Sequence, residues 1–157
     1  MYRMMPSESK FFQLNYRGVS INLENIKVLT QNNHLYVKKS MQFDRKQKDL
    51  SSMDHFAVSI LSSILKTIVE QSQKQDFGIE EIEGTLEILL ANPLTLLDVI
   101  GYTDEPEISA LKFKIYLYAD KDEDTVIRFC RQALKKCPLY NTMKQAVSIQ
   151  VVFQLLL

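Results

Sequence analysis

Tryptophan is absent, cysteine and histidine occur twice each, and glycine and proline four times each in a chain of 157 residues. Each scarcity excludes something. Two cysteines do not make a disulfide framework, and this usage fits a reducing cytoplasm, the expected compartment. The two histidines, His34 and His55, stand at no metal-ligand spacing from each other or from the cysteines, so no metal or other cofactor is expected. Few glycines and prolines leave little room for linkers, and the length predicts one domain over residues 1–157. No run reaches the ~20 unbroken apolar residues of a membrane span, and the opening MYRMMPSESK lacks the apolar stretch of a secretory signal. An excess of charge is missing too. Nineteen basic residues balance nineteen acidic ones, so no overall field attracts nucleic acid or an acidic membrane. Phosphate loops, dinucleotide fingerprints and nucleophile elbows are also lacking.

What is present is a long apolar helix pattern. From Asp54 to Gln73 the chain reads DHFAVSILSSILKTIVEQSQ. Phe56, Ala57, Val58, Ile60, Leu61, Ile64, Leu65, Ile68 and Val69 cover well over half of a helical circumference, more than a surface helix needs. Ser59, Ser62, Ser63, Lys66, Thr67 and Glu70 fill the polar sector. The spacing predicts a central buried helix over about 54–73. Ser51 or Ser52 can cap it, with Asp54 in the first turn where the helix dipole favours a carboxylate.

The flanking segments alternate instead. Residues 11–23 read as two short strands turning near Arg17 and Gly18, with Val19, Ile21 and Leu23 on a half-buried face. Residues 26–29 and 34–37 flank the polar Gln31-Asn32-Asn33, so a small antiparallel sheet is expected over about 11–39. The polar stretch 40–52 reads as a solvated loop, since Arg45, Lys46 and Lys48 have too little aromatic support for a nucleic-acid patch. Beyond the helix, strands are predicted from Ile79 to Asn92-Pro93 and from Ile108 to Tyr118, with 94–102 ambiguous. A second helix opens on Asp122-Glu123-Asp124 and closes on Lys135-Lys136. Pro138 ends it at Cys137. PLYNTMK makes a turn or short helix, and Val147 to Leu157 form a last strand. The region 79–157 thus completes an α+β domain with its helices on mostly antiparallel sheets.

Cys130 lies on the apolar stripe of the second helix and reads as a packing residue. Cys137, at the helix end before a proline, is the stronger candidate. The two stand seven positions apart, roughly 10 Å along a helix and beyond the ~7 Å reach of a disulfide.

The run Cys137-Pro138-Leu139-Tyr140-Asn141-Thr142-Met143 resembles the second-cysteine motif of the OsmC/organic hydroperoxide resistance superfamily, approximately Cys-Pro-Val-x-Asn-Thr-Leu. The order of elements is similar from about residue 11 onward. The resemblance implies an OsmC-like α+β fold built as an intertwined homodimer, with sites at the subunit interface. In active members a central-helix cysteine attacks an organic hydroperoxide and becomes a sulfenic acid, which the Cys-Pro cysteine resolves. An arginine from the N-terminal sheet and a glutamate before the helix hold the thiolate. Carried onto this chain, Cys137 is the resolving position. The family's Leu-Ala-Ser-Cys-Leu-Ala-x-Thr falls on Ile60 to Thr67, so Ser63 takes the peroxidatic position. The glutamate falls on Met53 or Asp54, and the arginine on Arg17 or Arg45. A serine hydroxyl does not enter the thiolate-to-sulfenic ladder. Two readings follow: a protein related to thiol-dependent hydroperoxide reductases with lost or altered activity, or a non-catalytic binder of an apolar small molecule or protein partner in the interface pocket.

Overall fold

The computed structural model describes residues 11–44 and 46–156. The chain divides into two compact units, Met1–His55 and Phe56–Leu157.

In the first unit, β1 (Arg17–Val19), β2 (Ile26–Leu29) and β3 (His34–Val37) form an antiparallel sheet in that order. The β2–β3 hairpin follows the expected boundaries. Its turn is fastened by Thr30, whose N–H donates to the Asn33 carbonyl at 2.8 Å and whose Oγ1 accepts the Asn33 N–H at 2.9 Å. Residues 11–23 depart from expectation. Gly18 is no turn residue, for it pairs with Val28 in mid-strand. The half-buried face ends at Val19, since Ile21 and Leu23 are 95% and 90% exposed. The cause is local: Asn22 Oδ1 accepts the Glu24 N–H at 3.2 Å, an Asx turn that competes with a strand ladder, and Leu23 takes a left-handed φ of 60°.

Helix α1 (Ser52–Lys74) begins at the end of this unit and runs into the second. Its start is a reciprocal cap. Ser51 donates to Asp54 Oδ2 from its N–H at 2.7 Å and its hydroxyl at 2.8 Å, while the Asp54 N–H donates to Ser51 Oγ at 3.2 Å. The N–H groups of Ser52 and Met53 reach the carbonyls of Lys39 and Ser40 at 2.9 and 3.1 Å. The orphan donors of a helix start are thereby matched.

The second unit holds β4 (Ile79–Ala91), the short α2 (Pro93–Leu96), β5 (Glu107–Ala119), α3 (Glu123–Leu134), α4 (Pro138–Ala146) and β6 (Ser148–Leu155). The sheet order is β4-β5-β6. β4 and β5 are antiparallel, but β6 lies parallel to β5, with Phe113 beside Val151 and Ile115 beside Phe153. Among the described residues three of the four strand pairs are antiparallel, in line with the mostly antiparallel expectation, and β5–β6 is the exception. A parallel pair needs a crossover of a dozen residues or more, which α3 and α4 supply. Leu157, the expected end of the last strand, lies outside the described residues.

Alternation decides the layers. Leu111, Phe113, Ile115 and Leu117 on β5 are buried, as are Ile60, Ile64 and Ile68 on α1 and Val126, Cys130, Ala133 and Leu134 on α3. These side chains form one core cluster. Gly84 on β4 lets α1 approach closely, because a Cβ there would stand 2.9 Å from Leu65 Cδ2 and 3.2 Å from Leu61 Cδ1. Asp122 caps α3, its Oδ2 accepting the Thr125 N–H at 2.9 Å. Among the described residues, no helix is long and apolar enough to cross a membrane.

The Asp54 cap sets a pH dependence. Hydrogen bonds from the Ser51 backbone N–H and then its hydroxyl lower the Asp54 pKa below its ordinary 3.8. A depressed carboxylate contributes stability above its unfolded pKa, and loses it as pH falls through the folded value. Asp54→Asn is therefore expected to lower the urea midpoint at pH 7 by the equivalent of about 0.5 kcal/mol, solvent screening this exposed carboxylate, with the deficit narrowing in titrations taken below the unfolded value. A deficit that stays constant at acid pH would assign the loss to shape rather than charge.

Candidate functional site

Two elements of the second unit bring the candidate residues together. Ser63 sits half-buried on α1, one residue before the core position Ile64. Its Oγ lies 3.3 Å from Cys137 Sγ, although the two are 74 positions apart in the chain. Thr67 Oγ1 donates to the Ser63 carbonyl at 2.7 Å, a back-bond of the kind that locally bends helices.

Cys137 stands at the corner between α3 and α4. Three successive bonds tighten the end of α3: Lys135, Lys136 and Cys137 donate to the carbonyls of Gln132, Ala133 and Leu134 at 3.3, 3.0 and 3.0 Å. This is 3₁₀ winding, common at helix ends. Cys137 itself is extended, with φ −91° and ψ 108°, and is the N-cap of α4 with Pro138 as the first helical residue. Proline is suited there because its missing N–H would have been unpaired. Asn141 closes the corner. Its N–H donates to the Cys137 carbonyl at 3.0 Å and its Nδ2 to the Lys135 carbonyl at 2.8 Å.

The cysteines differ in setting. Both are free thiols and both are buried. Cys130 faces the apolar core, where burial pushes its pKa up from 9.0 to about 12, so it carries no thiolate near neutrality. Cys137 is 0% exposed but has the Ser63 hydroxyl beside it.

Arg17 lies on β1, and Asp54, whose Oδ2 is held by Ser51, lies in the first turn of α1. Both belong to the first unit. Met53 shares that turn, and Arg45 lies outside the described residues. His34 opens β3 and is exposed, and His55 is half-buried. A hollow of about 200 Å³ over Thr85, Lys112, Lys114 and Gln150 lies on the outer face of the sheet, opposite the core row of β5. Sequence reasoning assigned no contact to Thr67 or Asn141, though both lie within the stretches that carry the resemblance. Their role is a hydrogen bond to backbone, which residue type alone does not reveal.

The thiols lend themselves to a direct check. After mild peroxide treatment and alkylation, mass spectrometry is expected to find Cys130 and Cys137 unlinked, with Cys130 the slower to react. A high yield of a Cys130–Cys137 crosslink in folded protein would contradict the separation that the α3 end imposes.

The same architecture occurs in solved structures of low identity. An OsmC-like protein from Mycoplasma pneumoniae superposes with a TM-score of 0.72 at 13% identity, covering 93% of this chain and 99% of that one. An organic hydroperoxide resistance protein from Elizabethkingia anophelis gives 0.68 at 8%, with 93% and 98% covered. The organic hydroperoxide resistance protein OhrB of Bacillus subtilis gives 0.62 at 13%, with 91% and 98% covered. No curated protein matches the sequence. The model of the OsmC-like protein family matches residues 45–152, more than half of the chain, and by that match the protein belongs to the OsmC-like family.

Proposed function

We propose that this chain is a relative of thiol-dependent organic hydroperoxide reductases in which Ser63 occupies the peroxidatic position, so that the inherited peroxidase activity is lost or altered. The observation that carries the reading is the 3.3 Å approach of Ser63 Oγ to Cys137 Sγ. In the ancestral reaction a thiolate attacks the O–O bond of the hydroperoxide. An S–O bond forms, the O–O bond breaks, and the alkoxide leaves as alcohol after protonation. A second thiol then displaces hydroxide from the sulfenic acid to give a disulfide and water, and an external dithiol returns the two electrons. Serine stops this at the first step. Its hydroxyl is not ionised near neutrality, and oxygen has no counterpart to the sulfenic–disulfide ladder.

Cys137 is a poor substitute for the missing thiolate. It is wholly buried within its chain, and a nucleophilic thiol requires access as well as ionisation. Arg17 and Asp54 enter the proposal as supporting residues, the latter with one oxygen already engaged in the cap. The second reading, a binder of an apolar small molecule or a protein partner, is favoured by the same contact, because a serine hydroxyl beside Cys137 gives position 63 no ionisable nucleophile. Free thiols fit a cytoplasmic setting.

The proposal includes a two-fold homodimer. Its support is apolar surface: Leu35, Tyr36 and Val58 are 52%, 56% and 60% exposed, and each Å² removed from water by a partner contributes about 25 cal/mol. Light scattering at micromolar concentration is expected to report twice the chain mass. A stable, well-folded monomer would remove the dimer from the proposal.

The activity test uses Ser63→Cys. Disulfide sulfurs stand about 2.05 Å apart, so the 3.3 Å approach needs only a small closure. Peroxide treatment of the variant is expected to join residue 63 to Cys137 and to confer measurable consumption of cumene hydroperoxide with dithiothreitol. Wild type and Cys137→Ser should show little or no turnover. Turnover by wild type equal to that of an active hydroperoxide reductase would refute the disabled site. A folded Ser63→Cys protein with neither disulfide nor activity would refute the assigned positions.

A further inference from the structure

We infer that Asn141 is the positioning residue of the thiol corner, holding Cys137 against Ser63 from both sides of the bend. The inference rests on the Ser63–Cys137 pair proposed above as the site.

The last carbonyls of α3 have no partner within the helix. Those of Ala133 and Leu134 receive the N–H groups of Lys136 and Cys137 at 3.0 Å each. The next carbonyl, that of Lys135, points beyond the last winding and receives Asn141 Nδ2 at 2.8 Å. The same residue donates its backbone N–H to the Cys137 carbonyl at 3.0 Å. Asn141 therefore grips the chain two residues before Cys137 with its side chain and at Cys137 with its main chain.

Cys137 needs such a grip. Its backbone is extended between two helices, so no continuous helical ladder holds its direction. Pro138 fixes its own φ but offers no donor. The contact from Sγ to Ser63 Oγ is a single weak bond across 74 positions, and a sulfur partner does not orient a backbone. Core packing, in which Cys137 takes part, and the geometry of the corner together aim Sγ at α1, and the side-chain bond of Asn141 ties the two arms of the corner. Asn141 is half-buried and Lys135 exposed, so the bond closes the corner on its solvent side.

The isosteric change Asn141→Asp separates positioning from folding. It keeps the shape but removes the donor and sets a carboxylate oxygen against the Lys135 carbonyl. At the same time an acid in the first turn of α4 favours that helix through its dipole, so loss of fold is not the expected outcome. Cys130 supplies an internal control, being buried in α3 one turn and more upstream.

The experiment is site-resolved alkylation of both thiols in the full-length chain, with Ser63 in place. In Asn141→Asp and Asn141→Ala, Cys137 is expected to react about two- to tenfold faster than in wild type, the change that losing one hydrogen bond gives to a local opening. Cys130 should keep its wild-type rate. Acceleration of both thiols together would show that Asn141 only supports the fold, and would overturn the inference. So would unchanged rates at both. In the Ser63→Cys background, Asn141→Asp is expected to slow formation of the 63–137 disulfide by a similar factor, and an unchanged rate would count against positioning. If Ser63→Cys with native Asn141 forms no disulfide, the functional reading fails instead. The alkylation comparison still tests Asn141 independently.

Discussion

Burial of one face of α1 against the inner row of β5 is the constraint on which the second unit depends. Ile60, Ile64 and Ile68 meet Leu111, Phe113, Ile115 and Leu117 in a single core. Fully burying such a side chain is worth about 1.5–3 kcal/mol, whereas a neutral hydrogen bond nets about 0.5–1.5 kcal/mol. The packing therefore sets the depth and rotation of α1, and polar contacts follow from it. Gly84 adds the close approach, since any side chain there would press on Leu61 and Leu65. Ser63, one position from Ile64, is carried to its place by that packing.

The corner at Cys137 obeys a different logic. Apolar burial holds Cys137 in the core, but it does not set how the chain turns there. Backbone chemistry does so: 3₁₀ winding at the end of α3, an extended N-cap and proline at the first position of α4. A core-driven element and a turn-driven element thus meet at one pair of side chains. That division explains how a relative at 13% identity keeps the same architecture. Packing tolerates exchange among apolar residues of similar volume, and a turn tolerates whatever residues its φ values admit.

Much of this was legible in the amino-acid order. The 3.6 period of α1, the alternation on β4 and β5, the acidic start of α3 and the Cys-Pro break each carry their own physical signature. The hairpin of β2 and β3 was as plain. Three things were hidden. Arg17-Gly18 looks like a turn, but pairing with β2 makes it strand, and pairing is a property of two segments. The apolar Ile21 and Leu23 suggest a strand that the Asn22 side chain interrupts. The direction of β6 is absent from its alternation, because parallel and antiparallel strands share a two-residue period. At the site, the cysteine before a proline pointed to Cys137 and the family resemblance to Ser63, while the hydrogen bonds of Thr67 and Asn141 needed coordinates.

The 74-position separation of Ser63 and Cys137 has a thermodynamic side. Closing a flexible loop of that length costs about 4 kcal/mol on ideal-chain scaling, several times what a hydroxyl–thiol contact returns. The pair cannot assemble itself. It is a passenger of strands and helices that fold for other reasons, and the fold loses almost nothing when its chemistry changes. An exchange between side chains as close in size as serine and cysteine at position 63 would therefore leave the scaffold nearly as stable as before.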